Sequence, residues 1–322
     1  GLPGAYLQYT YDPSMSNQSL ESLDGLSNVT NIEAIGIGGG SSELTSLPTF
    51  NGRIRSIALH QTALNNLDGF SEGTPEYNTD LYIYGNYNLQ NVDGLLNYNV
   101  LGEVNLVNNS NLSNIDGFDN VSEINNGAIL IAGNYIEQAN SVFESLVSID
   151  FYEINISNNS GFDNFSGFNA LNAENFSVEF NNNSDLENIN AFNSLNKVNL
   201  IISNNQSLTS INGFQSVTEG NLGIGRIDEP NSNQPIETIT IFDSSAFINI
   251  LGLFSTNLTN LNSFQNFGLG ELVQIHHNNL LTDFCGIRNQ VSNSTTDTMS
   301  YSTNNNAYNP SRYDLADGNC SN

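Results

Sequence analysis

Val104-Asn-Leu-Val-Asn-Asn-Ser-Asn-Leu-Ser-Asn-Ile-Asp-Gly-Phe118 holds the pattern from which the rest of the chain is built. Val104 and Leu106 alternate with Asn105 and Val107, the period-2 signature of a strand with one buried face. Asn108 and Asn109 follow. Asn suits a corner because its amide satisfies backbone groups and its backbone tolerates left-handed geometry. Leu112, Ile115 and Phe118 then point inward around Asp116-Gly117, a turn dipeptide whose glycine is expected at positive φ. Strand, amide corner and Asx-Gly turn make one coil.

The coil recurs along the chain. Its strand returns at Tyr6–Tyr9, Ile35–Ile37, Ile57–Leu59, Leu81–Ile83, Ile129–Ile131, Ile154–Ile156, Val178–Phe180, Leu200–Ile202, Leu222–Ile224, Ile239–Ile241 and Val273–Ile275. Most steps are about 22 to 25 residues, the range of leucine-rich repeats. Leu23-Asp-Gly-Leu26, Val92-Asp-Gly-Leu95 and Ile211-Asn-Gly-Phe214 repeat the turn. Asn86, Asn109, Asn134, Asn159, Asn183 and Asn205 follow successive strands, so stacking would set their amides in a hydrogen-bonded ladder. The expected fold is mainly β: a solenoid of about 11–12 coils with one long parallel sheet and few short helices.

Two steps break the register, a short one from Ile224 to Ile241 and a long one from Ile241 to Ile275. Asp228–Pro235, polar with two prolines, reads as an excursion, and Phe247–Leu261 as an irregular extra coil or a short helix. Val142, Leu146 and Ile149 stand at helical spacing, so a short helix is expected within Asn134–Asp150. The chain is read as one solenoid over 1–322, with an N-terminal coil or cap at 1–30, central repeats at 31–276 and a C-terminal cap at 277–322.

Composition narrows the function. The chain has 322 residues with 33 Asp and Glu against 6 Lys and Arg, a net charge of −27. That charge excludes nucleic acid and anionic lipid, which need Lys and Arg to replace counterions. Clustered carboxylates leave calcium as the one cofactor to consider, yet no run has EF-hand or RTX spacing. Cys285 and Cys320 are the only cysteines. Paired, they staple the C-terminal end by closing a loop of about 36 residues, worth roughly 3–4 kcal/mol in the chain-entropy model. Such a staple implies an oxidising compartment, whereas a thiol nucleophile would lack a base nearby. No apolar stretch is long enough to span a membrane. Gly1 opens the chain without a charged and apolar leader, as expected where a signal peptide has been removed.

Repeats of the form Leu-x-Ile-x-Asn-Asn-x-x-Leu-x-x-Ile-x-Gly-Phe resemble the receptor L-domain class of leucine-rich repeats. The end of the chain adds Leu281-Thr-Asp-Phe-Cys285-Gly-Ile, Asn306-Ala-Tyr-Asn-Pro310 and Asp317-Gly-Asn-Cys320. Together these look most like secreted surface proteins of Flavobacterium-like (Bacteroidota) bacteria. The resemblance implies a right-handed solenoid exported to the cell surface and often fused to other modules. Export in that group commonly runs through a C-terminal domain; none is visible after Asn322, as expected of a trimmed or partial chain. The family brings no catalytic residues.

His60 and His276 lie about nine rungs apart, roughly 40 Å at ~4.8 Å per rung, too far to share a metal or a proton. His276 and His277 are adjacent and point to opposite sides. Asp68, Asp93 and Asp116 would stack about 5 Å apart, the separation a retaining glycosidase uses. All three come from one turn slot where Asp is a routine turn former, so no catalytic residue and no metal site is assigned, and the chain is not read as an enzyme.

A partner would meet the outward face of the sheet. Gln8, Ala58, Tyr82, Asn105, Leu130, Asn155, Glu179, Ile201, Thr240 and Gln274 form one column, flanked by His60, Tyr84, Val107, Ala132, Ser157, Asn181, Ser203 and Phe242. This face reads as uncharged and Tyr-studded on an acidic body, and Tyr offers contact area at low entropy cost. His60, Tyr82, Tyr84, Asn105, Leu130, Asn155 and Glu179 are the candidate binding residues. The expected function is a secreted surface recognition or adhesion module for a protein or glycan. A structural spacer assembling with neighbouring copies or modules is the alternative, and a polysaccharide-active solenoid enzyme the third.

Overall fold

The computed structural model describes residues 19–40, 43–74, 78–174, 176–226, 235–292 and 299–322. The chain is mainly β, its parallel strands stacked into solenoid coils, about 11 in all, with few helical residues. It divides into two compact units: Gly1–Phe162 with Ser166–Leu171, and Asp163–Phe165 with Asn172–Asn322. The expected strand at 6–9, the outward Gln8, and most of the excursion at 228–235 lie outside the described residues.

In the first unit, strands β1 (Ile35–Ile37), β2 (Ser56–His60), β3 (Thr79–Tyr84), β4 (Val100–Val107), β5 (Ile129–Ala132) and β6 (Glu153–Ser157) pair in that order. All pairings are parallel. In the second, β7 (Phe176–Asn181), β8 (Lys197–Ser203), β9 (Glu219–Ile224), β10 (Phe247–Phe254), β11 (Gly268–His276) and β12 (Ser300–Asn304) do the same. The register puts like on like. Ile57, Leu81, Val104, Ile129 and Ile154 form one buried column, and Leu59, Ile83, Leu106, Ile131 and Ile156 a second. Period-2 alternation thus becomes two dry stripes per sheet, with the intervening residues directed to the other face.

Each corner is turned by one left-handed residue followed by one buried polar residue. Gln61, Gly85, Asn108, Gly133 and Asn158 have φ of 52° to 68° in the first unit. Thr62, Asn86, Asn109, Asn134 and Asn159 come next, all buried. The backbone N–H of Thr62 donates to Asn86 Oδ1 (3.0 Å), that of Asn86 to Asn109 Oδ1 (2.9 Å), that of Asn109 to Asn134 Oδ1 (3.0 Å), and that of Asn134 to Asn159 Oδ1 (3.0 Å). Each Nδ2 donates to a strand carbonyl one coil back, Asn109 to Ile83 and Asn134 to Leu106. The second unit repeats the device from Asn183 to Asn205 and from Thr256 through Asn278 to Asn306. Of each Asn doublet, the first member supplies the bend and the second the ladder.

The far side of the coil takes two forms. Asp24–Leu26, Asp68–Phe70, Asp93–Leu95 and Asp116–Phe118 are single 3₁₀ turns. Their glycines are not at positive φ, contrary to expectation. Gly94 instead packs against the coil before it, where a Cβ would overlap the carbonyl oxygen of Leu67, and Gly117 packs likewise on Val92. The residue is needed for close approach of backbones rather than for conformational freedom. In other coils a short strand replaces the turn, at Ala139–Val142, Asn164–Gly167, Asn188–Ala191, Ser210–Ile211 and Thr238–Ile239. There Phe143, Phe168, Phe192, Phe214 and Phe242 adopt φ of 51° to 65°. That strain, of order 1–3 kcal/mol for a bulky residue, is offset by burying and stacking the rings. Phe118, Phe143 and Phe168 stack at 4.8 and 5.2 Å, and Phe192 on Phe214 at 5.2 Å.

Three expectations are corrected here. No helix forms within 134–150: Val142 ends a short strand, Leu146 is buried in a bend, and Ile149 belongs to another short strand. Ile239 pairs with Ile211 on the far side, so 239–241 is not a strand of the long sheet, and Thr240 and buried Phe242 leave its outward face. The missing strand is β10, inside the segment read as an irregular coil or helix.

The C-terminal end is stapled by Cys285–Cys320, with Cα atoms 4.9 Å apart. Two short helices, α1 (Arg288–Ser292) and α2 (Arg312–Ala316), brace it. Arg288 donates to the carbonyl of Leu315 and Arg312 to that of Val291, so two of the six cations satisfy carbonyls at helix ends. Substituting Gly94→Ala is expected to cost about 1–3 kcal/mol in urea melts, because the coil spacing cannot open for one methyl. Gly25→Ala, where a Cβ meets nothing within 4 Å, should stay within about 0.5 kcal/mol of the parent.

Candidate functional site

Alternation along β2, β3 and β4 sends Ala58, Tyr82 and Asn105 outward as one row, with His60, Tyr84 and Val107 as the next. Six of the seven candidate residues sit on two such rows of the first unit: Tyr82, Asn105, Leu130 and Asn155 in register, and His60 beside Tyr84 with ring centroids 6.5 Å apart. Glu179 belongs to the second unit, paired with Ile201.

The face is not uncharged. The Tyr82 hydroxyl donates to Glu103 Oε2 at 2.9 Å, and Asn105 Nδ2 donates to Glu103 Oε1 at 2.7 Å. Asp80 Oδ1 accepts from the backbone N–H of Glu103 at 3.0 Å. Both carboxylates lie one step before the alternating triplets, where the pairing of β3 with β4 is irregular, so no periodic pattern in the sequence marks them. Asn105 is consequently buried, held beneath this network instead of offered to solvent.

Electrostatics follow from that arrangement. Burial pushes the Tyr82 hydroxyl well above the ordinary phenol value, reinforced by its bond to Glu103 and by the charges of Glu103 and Asp80. Tyr84 is raised for the same reasons, burial first and then Glu103. Burial lowers His60, so its ring is neutral at pH 7. Asp80 is raised by burial and by Glu103, against the opposing bond from the Glu103 backbone and the charge of Arg55. The rows therefore present neutral aromatic and aliphatic groups beside a fixed, hydrogen-bonded carboxylate pair.

The turn aspartates were the other candidates for chemistry. Asp68, Asp93 and Asp116 each open a 3₁₀ turn, and the preceding Asn66, Asn91 and Asn114 accept their backbone N–H groups. Asp93 is raised by burial and then by Asp116 and Asp68, and Asp119 by burial, Asp116 and Glu144. The stacking is real, and its consequence is mutual repulsion in a turn. Among the described residues, no group of three or more His, Cys, Asp and Glu side chains is placed to hold a metal ion. His276 Nε2 lies 2.9 Å from Ser302 Oγ, and His277 leaves the strand at φ 61° as the left-handed corner residue.

Compared with protein-family models, curated proteins and solved structures, the chain matches none.

Asp93 has a folded pKa raised above its unfolded value, so its stabilising contribution is present at acid pH and lost as pH rises through the folded value. Asp93→Asn should therefore raise the melting temperature at pH 7 and leave it unchanged near pH 3. A lower melting temperature at pH 7 would show that the carboxylate itself holds the turn.

Proposed function

We propose that this chain is a non-enzymatic surface recognition module that binds a protein or glycan partner through the outward sheet face around His60, Tyr82 and Tyr84. The observation that carries the reading is the neutral aromatic cluster locked beside the Glu103–Asp80 pair. Tyr82 cannot rotate without losing its bond to Glu103, so the cluster is ordered before a partner arrives and little rotamer entropy is lost on binding. Val107, Leu130 and Ala132 extend it with small apolar groups, which a partner can desolvate at no polar cost.

The Cys285–Cys320 bridge supports an oxidising, extracellular setting. No helix among the described residues is long and apolar enough to cross a membrane. The coil pattern and disulfide cap support a receptor L-domain-like module of the kind found in secreted proteins of Flavobacterium-like bacteria. The acidic surface keeps such a module soluble and repels nucleic acid and anionic lipid.

The test is a binding screen of the intact protein against arrayed glycans and against surface extracts, repeated with Tyr82→Ser/Tyr84→Ser. The variant is expected to fold, because both rings sit on the sheet surface, and to lose at least tenfold in affinity. Undiminished binding by the folded variant would overturn the proposal.

A further inference from the structure

The second unit carries a groove of its own, of about 470 Å³, within the size range of small-ligand sites. It is built on β8, β9 and β10 by two outward rows. Lys197 pairs in register with Glu219 and Glu219 with Phe247, while Asn199 pairs with Asn221. Asn249 joins the second row because the strand bulges there, between Ile248 and Ile250.

Three features give this groove a defined chemistry. Phe247 is 45% exposed, and its ring lies across Gly268 and Gly270 of β11, where a Cβ would stand 2.5 Å and 3.0 Å from ring carbons. Two glycines thus make room for one aromatic ring spread on the sheet, with a side left to solvent. Asn221 Oδ1 accepts from the Ile250 N–H at 3.2 Å and Asn249 Oδ1 from the Glu271 N–H at 3.3 Å. Those bonds fix both amides by their carbonyl ends, and neither Nδ2 has a protein acceptor among the described residues. Lys197, the only lysine of the chain, closes the row in a 2.9 Å ion pair with Glu219, so the two charges that line the groove offset each other on a chain of net charge −27.

From these features we infer that the groove formed by Lys197, Glu219, Phe247, Asn199, Asn221 and Asn249 is a binding site for a neutral oligosaccharide. A sugar ring offers a C–H face to an aromatic side chain and hydroxyls to oriented amides. The paired lysine supplies a donor and the paired glutamate an acceptor for further hydroxyls. An anionic sugar would meet Glu219 and the field of the whole chain, and so is disfavoured. Successive strands about 4.8 Å apart repeat the amide row along the groove, so a chain of sugars meets like contacts at each rung. Every lining residue belongs to the second unit, so this site stands or falls independently of the Tyr82–Tyr84 face.

Isothermal titration of the full chain with cellohexaose, xylohexaose, mannohexaose and hexagalacturonate tests the proposal. At least one neutral hexasaccharide should bind, with affinity reduced at least tenfold by Phe247→Ala and severalfold by Asn199→Ala, but unchanged in Tyr82→Ser/Tyr84→Ser. Phe247→Tyr should retain binding, which separates loss of the ring from loss of fold, and melting curves check each variant. Binding of none of the neutral sugars, binding of hexagalacturonate alone, or neutral-sugar binding indifferent to folded Phe247→Ala would overturn it.

Discussion

One carboxamide per coil, buried where the strand ends, is the interaction on which the rest depends. A parallel stack leaves unpaired backbone groups wherever the chain leaves the sheet, and a buried unpaired N–H or C=O costs about 1–3 kcal/mol. Asn is suited to this place because one side chain carries an acceptor for a backbone N–H and donors for a backbone carbonyl of the coil before it. Asn109 does both, tying its own coil to the preceding one at the Asn86 N–H and at the Ile83 carbonyl. The left-handed residue before it is a geometric condition: without the bend at Asn108 the amide would point to solvent. Thr62 and Thr256 each start a run of the ladder, giving backbone and hydroxyl donors to the first Asn.

The opposite side of the coil solves the same spacing problem by contact. Backbones there approach so closely that Gly94 and Gly117 have no room for a methyl group. Where the turn becomes a short strand, a phenylalanine takes the strained left-handed conformation and its ring stacks on the ring of the next coil. Amide ladder on one side and glycine or phenylalanine on the other fix the rung distance. That fixed distance turns the outward positions of the sheet into regular rows, and both proposed binding surfaces are made of such rows.

Much of this was legible in the sequence because the signals are periodic. Strand alternation, the Asn after each strand, and the cysteine pair all describe contacts between equivalent positions. The failures have physical causes. Ile236-x-x-Ile239-x-x-Phe242 repeats the spacing of Leu208-x-x-Ile211-x-x-Phe214, but the long insertion before it shifted the register, and Ile239-Thr-Ile241 imitated a strand by alternation alone. In Asn134–Asp150, the spacing of Val142, Leu146 and Ile149 fits a helix as well as it fits a chain bending at Phe143 with positive φ. The Asx-Gly turn was recognised, yet its cause lies in the neighbouring coil, which local sequence does not show. Glu103, Asp80 and the groove residues were missed because they precede the alternating triplets, where polar residues carry no pattern.

The functional surfaces follow from the scaffold and are not separately encoded by a motif. Tyr82 is presented because Leu81 and Ile83 are buried, and Asn221 because Gly220 and Leu222 face the core and the preceding strand. The scaffold in turn rests on the buried amides. Equilibrium urea unfolding of Asn109→Ala beside Asn108→Gly measures their role most directly. Losing the ladder amide orphans the Asn86 N–H and the Ile83 carbonyl, and should cost about 2–4 kcal/mol, whereas glycine at the left-handed corner should be neutral within about 0.5 kcal/mol. Equal and small effects of the two substitutions would contradict the claim that one amide per coil holds the stack together.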